Sequence, residues 1–331
     1  MKKIISVGLL YCIPLFLLTA LGQTSLQDFT QVDSLAKATT YEDESIAAFA
    51  KKLSTPFNQP IHKVRAIFTW ISDQVSYDCD AFFNPKSSQR TIEYKSPKEY
   101  QKKVKEWEHK QAQSAFYYKK GMCMNYTLLF REMCQAVGIE TVVIQGRIKS
   151  SAKEIDGPYI DVNHAWNAVR LNKQWQLLDL TLASGYIKKN CSEFVKEFRP
   201  EYFLIPPQQL IKTHLPKENK WQLLESTTSR KAFMAMPYSN YGIHKFGVSQ
   251  MNYNRGMISS DTTTFEIKIQ HIAIFDRVVL YEDQRTIFPR VRLEGNTLIF
   301  DYYREDHDAQ YLSVHFETKD KSYLLVKYKL D

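Results

Sequence analysis

Three residues have the types and the order that thiol chemistry needs. Cys123 opens a helix-patterned stretch in Gly121-Met122-Cys123-Met124-Asn125-Tyr126. His164 stands in Asn163-His164-Ala165-Trp166-Asn167, and Asp179 in Trp175-Gln176-Leu177-Leu178-Asp179-Leu180-Thr181. A thiolate attacks an acyl carbon, an imidazole takes and returns the proton, and a carboxylate fixes the imidazole tautomer. Each residue alone has an ordinary explanation. A Cys at an apolar helix start is commonly a small core residue, and a single strand His is commonly hydrogen-bonded packing. Asp179 is harder to dismiss, because a carboxylate among leucines is buried and needs a partner.

The elements around these residues give each a role. A helix N-terminus presents unpaired N–H groups and the positive end of a dipole, and both favour a thiolate. The same N–H groups can bind a developing oxyanion. No side-chain oxyanion donor stands out in the sequence. Tyr126, Leu129, Phe130, Met133 and Val137 form the buried stripe of the Cys123 helix, and Gly138 is its expected stop. Beyond Gly138 the hydrophobic period changes from 3.6 to 2, so 141–148, 164–171 and 174–181 read as strands. If Asn172-Lys173 closes a loop of two or four residues, Leu171 pairs with Gln174, His164 faces Thr181 and Trp166 faces Asp179. His164 and Asp179 are then diagonal neighbours on one face. Trp166, Ala168, Leu177 and Trp175 share that face, which suits packing against the Cys123 helix. A loop of three or five residues would put His164 and Asp179 on opposite faces.

Other segments read as scaffold. Residues 29–53 are helical, with Thr39-Thr40-Tyr41 as an interruption. Gln59-Pro60 starts a clear helix with Val64, Ile67, Phe68, Ile71 and Val75 on one stripe. Residues 79–95 lack periodicity and read as a loop. Ser96-Pro97-Lys98-Glu99 has the form of a capping box opening another helix. Residues 198–224 are irregular and proline-containing. Residues 225–230 mark a boundary, and strands at 265–269, 271–280, 298–303, 311–316 and 323–330 suggest a small immunoglobulin-like β-sandwich. His214, beside Leu215-Pro216, reads as structural, and Trp70, Trp107 and Trp221 as core. His62, His109, His244, His271, His307 and His315 show no metal-ligand spacing, and HExxH is absent. No metal or cofactor is expected.

The 331-residue chain has a net charge of +8, and residues 86–120 hold ten Lys/Arg against four Asp/Glu. With the excess confined to one segment and no reader motif, nucleic acid is not the expected partner. The basic segment reads as a solvated helix face or as a rim that favours acidic substrates. Residues 1–22 have a charged start, an apolar stretch and a small-x-small site, the form of a secretory signal peptide. The expected product is exported, periplasmic or extracellular, with no membrane span after cleavage. Cys79, Cys123, Cys134 and Cys191 remain beyond the signal. With Cys123 free for chemistry, at most one bridge forms. Cys123 and Cys134 lie about 16 Å apart along one helix and cannot bond, whereas Cys79 with Cys191 can.

Taken together, these pieces resemble the transglutaminase-like superfamily of papain-like cysteine enzymes, closest to its kyphoscoliosis-peptidase-like branch. The similarity rests on Lys63-Val64-Arg65-Ala66-Ile67-Phe68-Thr69-Trp70-Ile71 with Tyr77-Asp78, on Gly121-Met122-Cys123, and on the His164 and Asp179 segments. Tyr202-Phe203-Leu204-Ile205-Pro206, His214-Leu215-Pro216 and Trp221-Gln222-Leu223-Leu224 add to it. Asn125 and Thr127 depart from the usual pattern after the Cys, and the segment from Cys79 to Lys120 is long.

The resemblance implies an α+β fold with a papain/transglutaminase-like core of N-terminal helices on an antiparallel sheet, at 23–225, followed by a β-sandwich-like domain at 226–331. The resemblance covers about residues 45–225, the β-sandwich-like domain being read from strand pattern alone, and it implies Cys123 as nucleophile, His164 as general base and acid, and Asp179 as the orienting carboxylate. The expected activity is that of a peptidase, amidase or transglutaminase acting on amide bonds of proteins or peptides, with cell-wall peptide among the substrates. The alternative is an inactive relative that serves as a peptide- or protein-binding module.

Overall fold

Apolar stripes on the N-terminal helices leave them one stable arrangement, packed around a shared core. A computed structural model describes residues 28–83, 92–188, 191–269 and 275–331. The expected signal peptide and residue 271 lie outside the described residues. The helices are α1 (Thr30–Ala38), α2 (Ile46–Ser54), α3 (Pro60–Gln74), α4 (Cys79–Phe83), α5 (Pro97–Tyr118) and α6 (Cys123–Ala136). The break between α1 and α2 contains the expected Thr39-Thr40-Tyr41 interruption. The α3 stripe from Val64 to Val75 is wholly buried, together with Phe49, Phe116 and Phe130. One polar anchor crosses this layer. Arg65 on α3 donates from Nε and Nη2 to the two Asp33 carboxylate oxygens on α1, each at 2.7 Å. A bidentate pair of this kind fixes orientation as well as distance.

Residues 79–83 are a short helix, not the loop that the lack of periodicity suggested. Ser96 caps α5 as expected, accepting from Glu99 N, while the Glu99 carboxylate reaches back to Lys95 N. Gly138 ends α6 at φ +76°, a left-handed conformation that costs glycine little.

The first strands are β1 (Ser76–Tyr77), β2 (Lys120–Gly121), β3 (Thr141–Ile148), β4 (His164–Leu171) and β5 (Gln174–Leu178). The short helix α7 (Leu180–Ala183) follows, then β6 (Gly185–Ile187), β7 (Phe194–Lys196), α8 (Pro207–Leu210) and β8 (His214–Pro216). The main sheet of the core has the order β5-β4-β3-β8 and is antiparallel throughout. β8 corrects the reading of 198–224 as wholly irregular. It approaches β3 closely at Gly146, where a Cβ would stand 2.3 Å from Leu215 O and 2.4 Å from the Trp166 ring.

The register between β4 and β5 is the expected one, with Leu171 opposite Gln174 and Asn167 opposite Leu178. Asn172 (φ 49°) and Lys173 (φ 66°) make the two-residue turn with both angles positive, as a type I′ hairpin turn requires.

The C-terminal part is all β apart from α9 (Arg230–Ala235) and α10 (Tyr241–Lys245). Its sheets are built from β9 (Tyr238–Ser239), β10 (Val248–Met251), β11 (Met257–Ile258), β12 (Thr262–Ile269), β13 (Arg277–Glu282), β14 (Arg285–Ile287), β15 (Arg292–Glu294), β16 (Thr297–Tyr303), β17 (Tyr311–Glu317) and β18 (Ser322–Leu330). One sheet has the order β10-β12-β16-β15 and the other β11-β18-β17-β13-β14. Phe265, Phe300 and Tyr302 from the first share a core with Leu280, Phe316 and Tyr328 from the second. The fold is therefore α+β, with helices and an antiparallel sheet first and an all-β region after. No helix among the described residues is long and apolar enough to cross a membrane.

Candidate active site

Cys123 is the first residue of α6, half-buried, with a free thiol. Its position depends on its neighbours. β2 runs parallel to β1, pairing Gly121 with Tyr77, and Asp78 N donates to Gly121 O at 3.0 Å. Asn125 then closes the start of the helix. Its Oδ1 accepts from Met122 N at 3.0 Å, and its Nδ2 donates to Gln111 O and Oε1 on α5. The residue that departs from the family pattern is thus the local cap. A Cβ on Gly121 would lie 2.6 Å from the Asn125 Cβ, so only glycine fits beneath the cap. We expect Asn125→Ala to lower unfolding stability by ~1 kcal/mol, as urea denaturation would read; an unchanged midpoint would show that the cap is dispensable.

His164 begins β4 and is buried. Its Nε2 donates to Asp179 Oδ2 at 2.6 Å, which leaves Nδ1 as the second ring nitrogen. The Cys123 thiol lies near enough to the same imidazole to act on its pKa. Burial works against the charged ring, yet the Asp179 charge and hydrogen bond, together with Cys123, outweigh it and raise the His164 pKa well above its ordinary value.

Asp179 is fully buried. It does not continue β5 as expected, because that strand ends at Leu178. Asp179 instead caps α7, with Oδ1 accepting from Leu182 N at 2.8 Å, and its own N–H donates to Tyr202 O at 3.1 Å. Thr181, expected opposite His164 in a strand, lies in α7. Burial opposes the carboxylate, but the charge and hydrogen bond of His164 and the hydrogen bond of His214 hold its pKa well below the usual range. The contact that β4 makes to α6 through a hydrogen bond comes from the other face, where Asn167 Nδ2 donates to Thr127 O at 3.2 Å. Both faces of β4 are covered, so the single packing face expected from alternation is incomplete.

A profile of the transglutaminase-like superfamily matches residues 47–180, which span α2 to the start of α7 and contain all three site residues. Residues 47–180 belong to the transglutaminase-like superfamily. Kyphoscoliosis peptidase of Mus musculus is 28% identical over 251 residues, covering 73% of this chain and 32% of that protein. Hillarin of Drosophila melanogaster is 22% identical over 263 residues, covering 73% of this chain and 29% of that protein. The chain spans about a third of the length of these curated relatives. A solved structure of a candidate cysteine protease from Cytophaga hutchinsonii is 18% identical, covers 46% of this chain and 42% of that one, and superposes with a TM-score of 0.27. The superfamily includes cysteine peptidases and transglutaminases.

Two residues of the transglutaminase-like core escaped the sequence reading. Tyr77 is half-buried, and burial followed by the nearby Cys123 charge pushes its phenol up to about 12. It therefore keeps its proton at neutral pH and stands within electrostatic reach of the thiol. His214, read as structural near Pro216, donates from Nε2 to Asp179 Oδ2 at 3.1 Å. The motif Tyr77-Asp78 and the segment around His214 were visible in the sequence, but pairing with Gly121 and with Ile148 is what brings them to the site.

His164, Asp179 and His214 have ligand atoms within 4.8 Å of one another. At 2.6 Å and 3.1 Å, however, both ring nitrogens meet one carboxylate oxygen at hydrogen-bond distance. Ligands around a metal are held at ~2.0–2.2 Å from the ion, which sets them farther from each other than 2.6 Å. The donor set is that of a proton network.

A groove of about 740 Å³ runs between the core and the all-β region, with Tyr202, Thr213 and His214 on one wall and Tyr238, Tyr241 and Tyr323 on the other. Cys123 and His164 are not among its walls.

Proposed function

We propose that this protein is a thiol-dependent enzyme that cleaves or transfers the acyl group of amide bonds in proteins or peptides. The observation that carries the reading is the imidazole of His164, bonded at Nε2 to the buried Asp179 and near enough to the Cys123 thiol for the thiol to act on its pKa. Asp179 stabilises the imidazolium, and the imidazolium stabilises a thiolate beside it. The thiolate attacks the amide carbon to give a tetrahedral intermediate. Its oxygen would face the α6 N-terminus, where N–H groups can stabilise negative charge, and the protonated Tyr77 phenol, which feels the Cys123 charge, would be a second donor. His164 then protonates the leaving amine, and an acyl-enzyme remains on Cys123. Water, deprotonated by His164, or an amine from a second chain releases the acyl group.

Export accords with this reading. Cys79 on α4 and Cys191 form a disulfide 112 residues apart in sequence, and stable disulfides belong to oxidising compartments. We propose hydrolysis ahead of cross-linking, with water as the acyl acceptor. The all-β region, which contributes no member of the Cys123–His164–Asp179 set, would serve binding or placement.

The test is the pH dependence of Cys123 alkylation by iodoacetamide in the wild type and in His164→Ala. Cys134 is buried and Cys79 and Cys191 are bridged, so labelling reports Cys123. The expected result is rapid labelling below pH 7 that disappears in the His164 variant. Equal profiles for the two proteins would refute the thiolate–imidazolium pair and leave the peptide-binding module as the better reading.

A further inference from the structure

Asp179 is held by two histidines, and the second leads out of the core. His214 Nε2 lies 3.1 Å from Asp179 Oδ2, its Nδ1 lies 2.7 Å from Thr213 Oγ1, and Thr213 Oγ1 lies 3.0 Å from His244 Nε2. His244 belongs to α10, the helix that packs on β18 of the all-β region. His214 and His244 are both buried.

Elementary hydrogen-bond rules assign every proton in this chain. A bare ring nitrogen facing a carboxylate oxygen would be repulsive, so His214 must carry its proton on Nε2. A second proton on Nδ1 would make it a cation, with the His164 ring 5.7 Å away between centroids. Burial first, and the His164 charge in addition, keep His214 neutral against the pull of Asp179. Nδ1 is therefore an acceptor, and the Thr213 hydroxyl must turn its single proton toward it, although Leu210 O lies 3.1 Å away as an alternative. Thr213 Oγ1 is then left to accept, and His244 donates from Nε2. The remaining nitrogen of His244, Nδ1, is buried without a partner, as a neutral ring protonated at Nε2 permits. Burial in turn keeps His244 neutral by lowering its pKa to about 3.

We propose that His214 is a positioning residue for the thiol chemistry, one that holds Asp179 oriented toward His164, and that Thr213 and His244 lock the tautomer it needs. This inference rests on the reading of Cys123, His164 and Asp179 as the reacting set. His164 must gain and lose its proton during turnover, and its bond to Asp179 changes strength each time. A second, neutral donor on the same oxygen keeps the buried carboxylate solvated by the protein throughout. It also makes the core dependent on the all-β region, since His244 comes from beyond residue 230.

The experiment uses the full chain and two readouts. Nitrogen-15 NMR of labelled histidines comes first. It should show His214 and His244 as neutral Nε2–H tautomers from pH 5 to 8, with His164 charged. A charged His214, or one protonated at Nδ1, would overturn the proposal without any variant. Cys123 alkylation at pH 5 comes second. His214→Leu should lower the rate by ~10-fold or more, the usual scale for removing an orienting hydrogen-bond partner. His214→Gln places an amide N–H near the lost Nε2–H and should recover most of that loss, whereas a purely space-filling role would not separate the two variants. Thr213→Val should fall between them. If the wild type itself labels independently of His164, the proposed function fails; if it labels as expected and His214→Leu matches it, only this inference fails. Should His214→Leu not fold, the tautomer spectrum and the Gln and Val variants still decide.

Discussion

Asp179→Ala is expected to destabilise the protein by about 3–5 kcal/mol, the usual scale for removing one partner of a buried ion pair. The cost has three sources. His164 loses its counter-charge, His214 loses the acceptor of its Nε2–H, and α7 loses the cap on Leu182 N. The effect should depend on pH with a definite sign. The folded pKa of Asp179 is depressed, so its contribution is present above an unfolded value of ~3.9 and is lost as pH falls through the folded value. The folded pKa of His164 is raised, so its contribution is complete below an unfolded value of ~6.5 and is lost as pH rises toward the folded value. The stability gap between wild type and variant should be widest between about pH 4 and 6.5 and should narrow on either side. Urea titrations at pH 3.5, 5.5 and 8.5 would test this; a gap of equal size at all three would show that the pair is not ionised as the geometry implies. Asp179→Asn keeps the shape and the cap acceptor but removes the charge. Its turnover should drop on the order of 10⁴-fold, as expected when the orienting carboxylate of a triad is neutralised.

Cys123→Ala should remove on the order of 10⁴- to 10⁶-fold of amide turnover while leaving the fold intact. Cys123 is half-buried and its helix start is held by Asn125 and Gly121, not by the thiol. The loss would therefore be chemical. Mass spectrometry of the wild type with an activated peptide ester should show one acyl adduct on Cys123, absent from the variant. Release of the adduct by water or by an added amine would separate hydrolysis from cross-linking. Turnover that survived in Cys123→Ala would end the nucleophile reading.

Much of the scaffold was legible because it is governed by local periodicity. The α3 and α6 stripes, the α1–α2 break and the four longest C-terminal strands follow from side-chain spacing alone. Where no period exists the reading failed. β8 is three residues long and contains a proline, and its pairing with β3 depends on a glycine that admits its backbone. The helix α4 is five residues long and carries no buried face to mark it.

For the candidate site, sequence by itself determined the three candidate residue types and their order, and limited the register that relates two of them to a choice set by loop length. A two- or four-residue loop at Asn172-Lys173 gives that register and a three- or five-residue loop does not; the structure has the two-residue turn. Tertiary structure alone decided which further side chains reach them. Asp179 leaves the strand to cap α7, which frees one carboxylate oxygen for two histidines. His214 arrives from a strand 35 residues later, Tyr77 from a parallel pair beside Gly121, and His244 from a helix of the all-β region. Periodicity reports how a residue faces its own element. It carries no information about contacts across many residues, which are settled only when cores pack and buried polar groups must find partners.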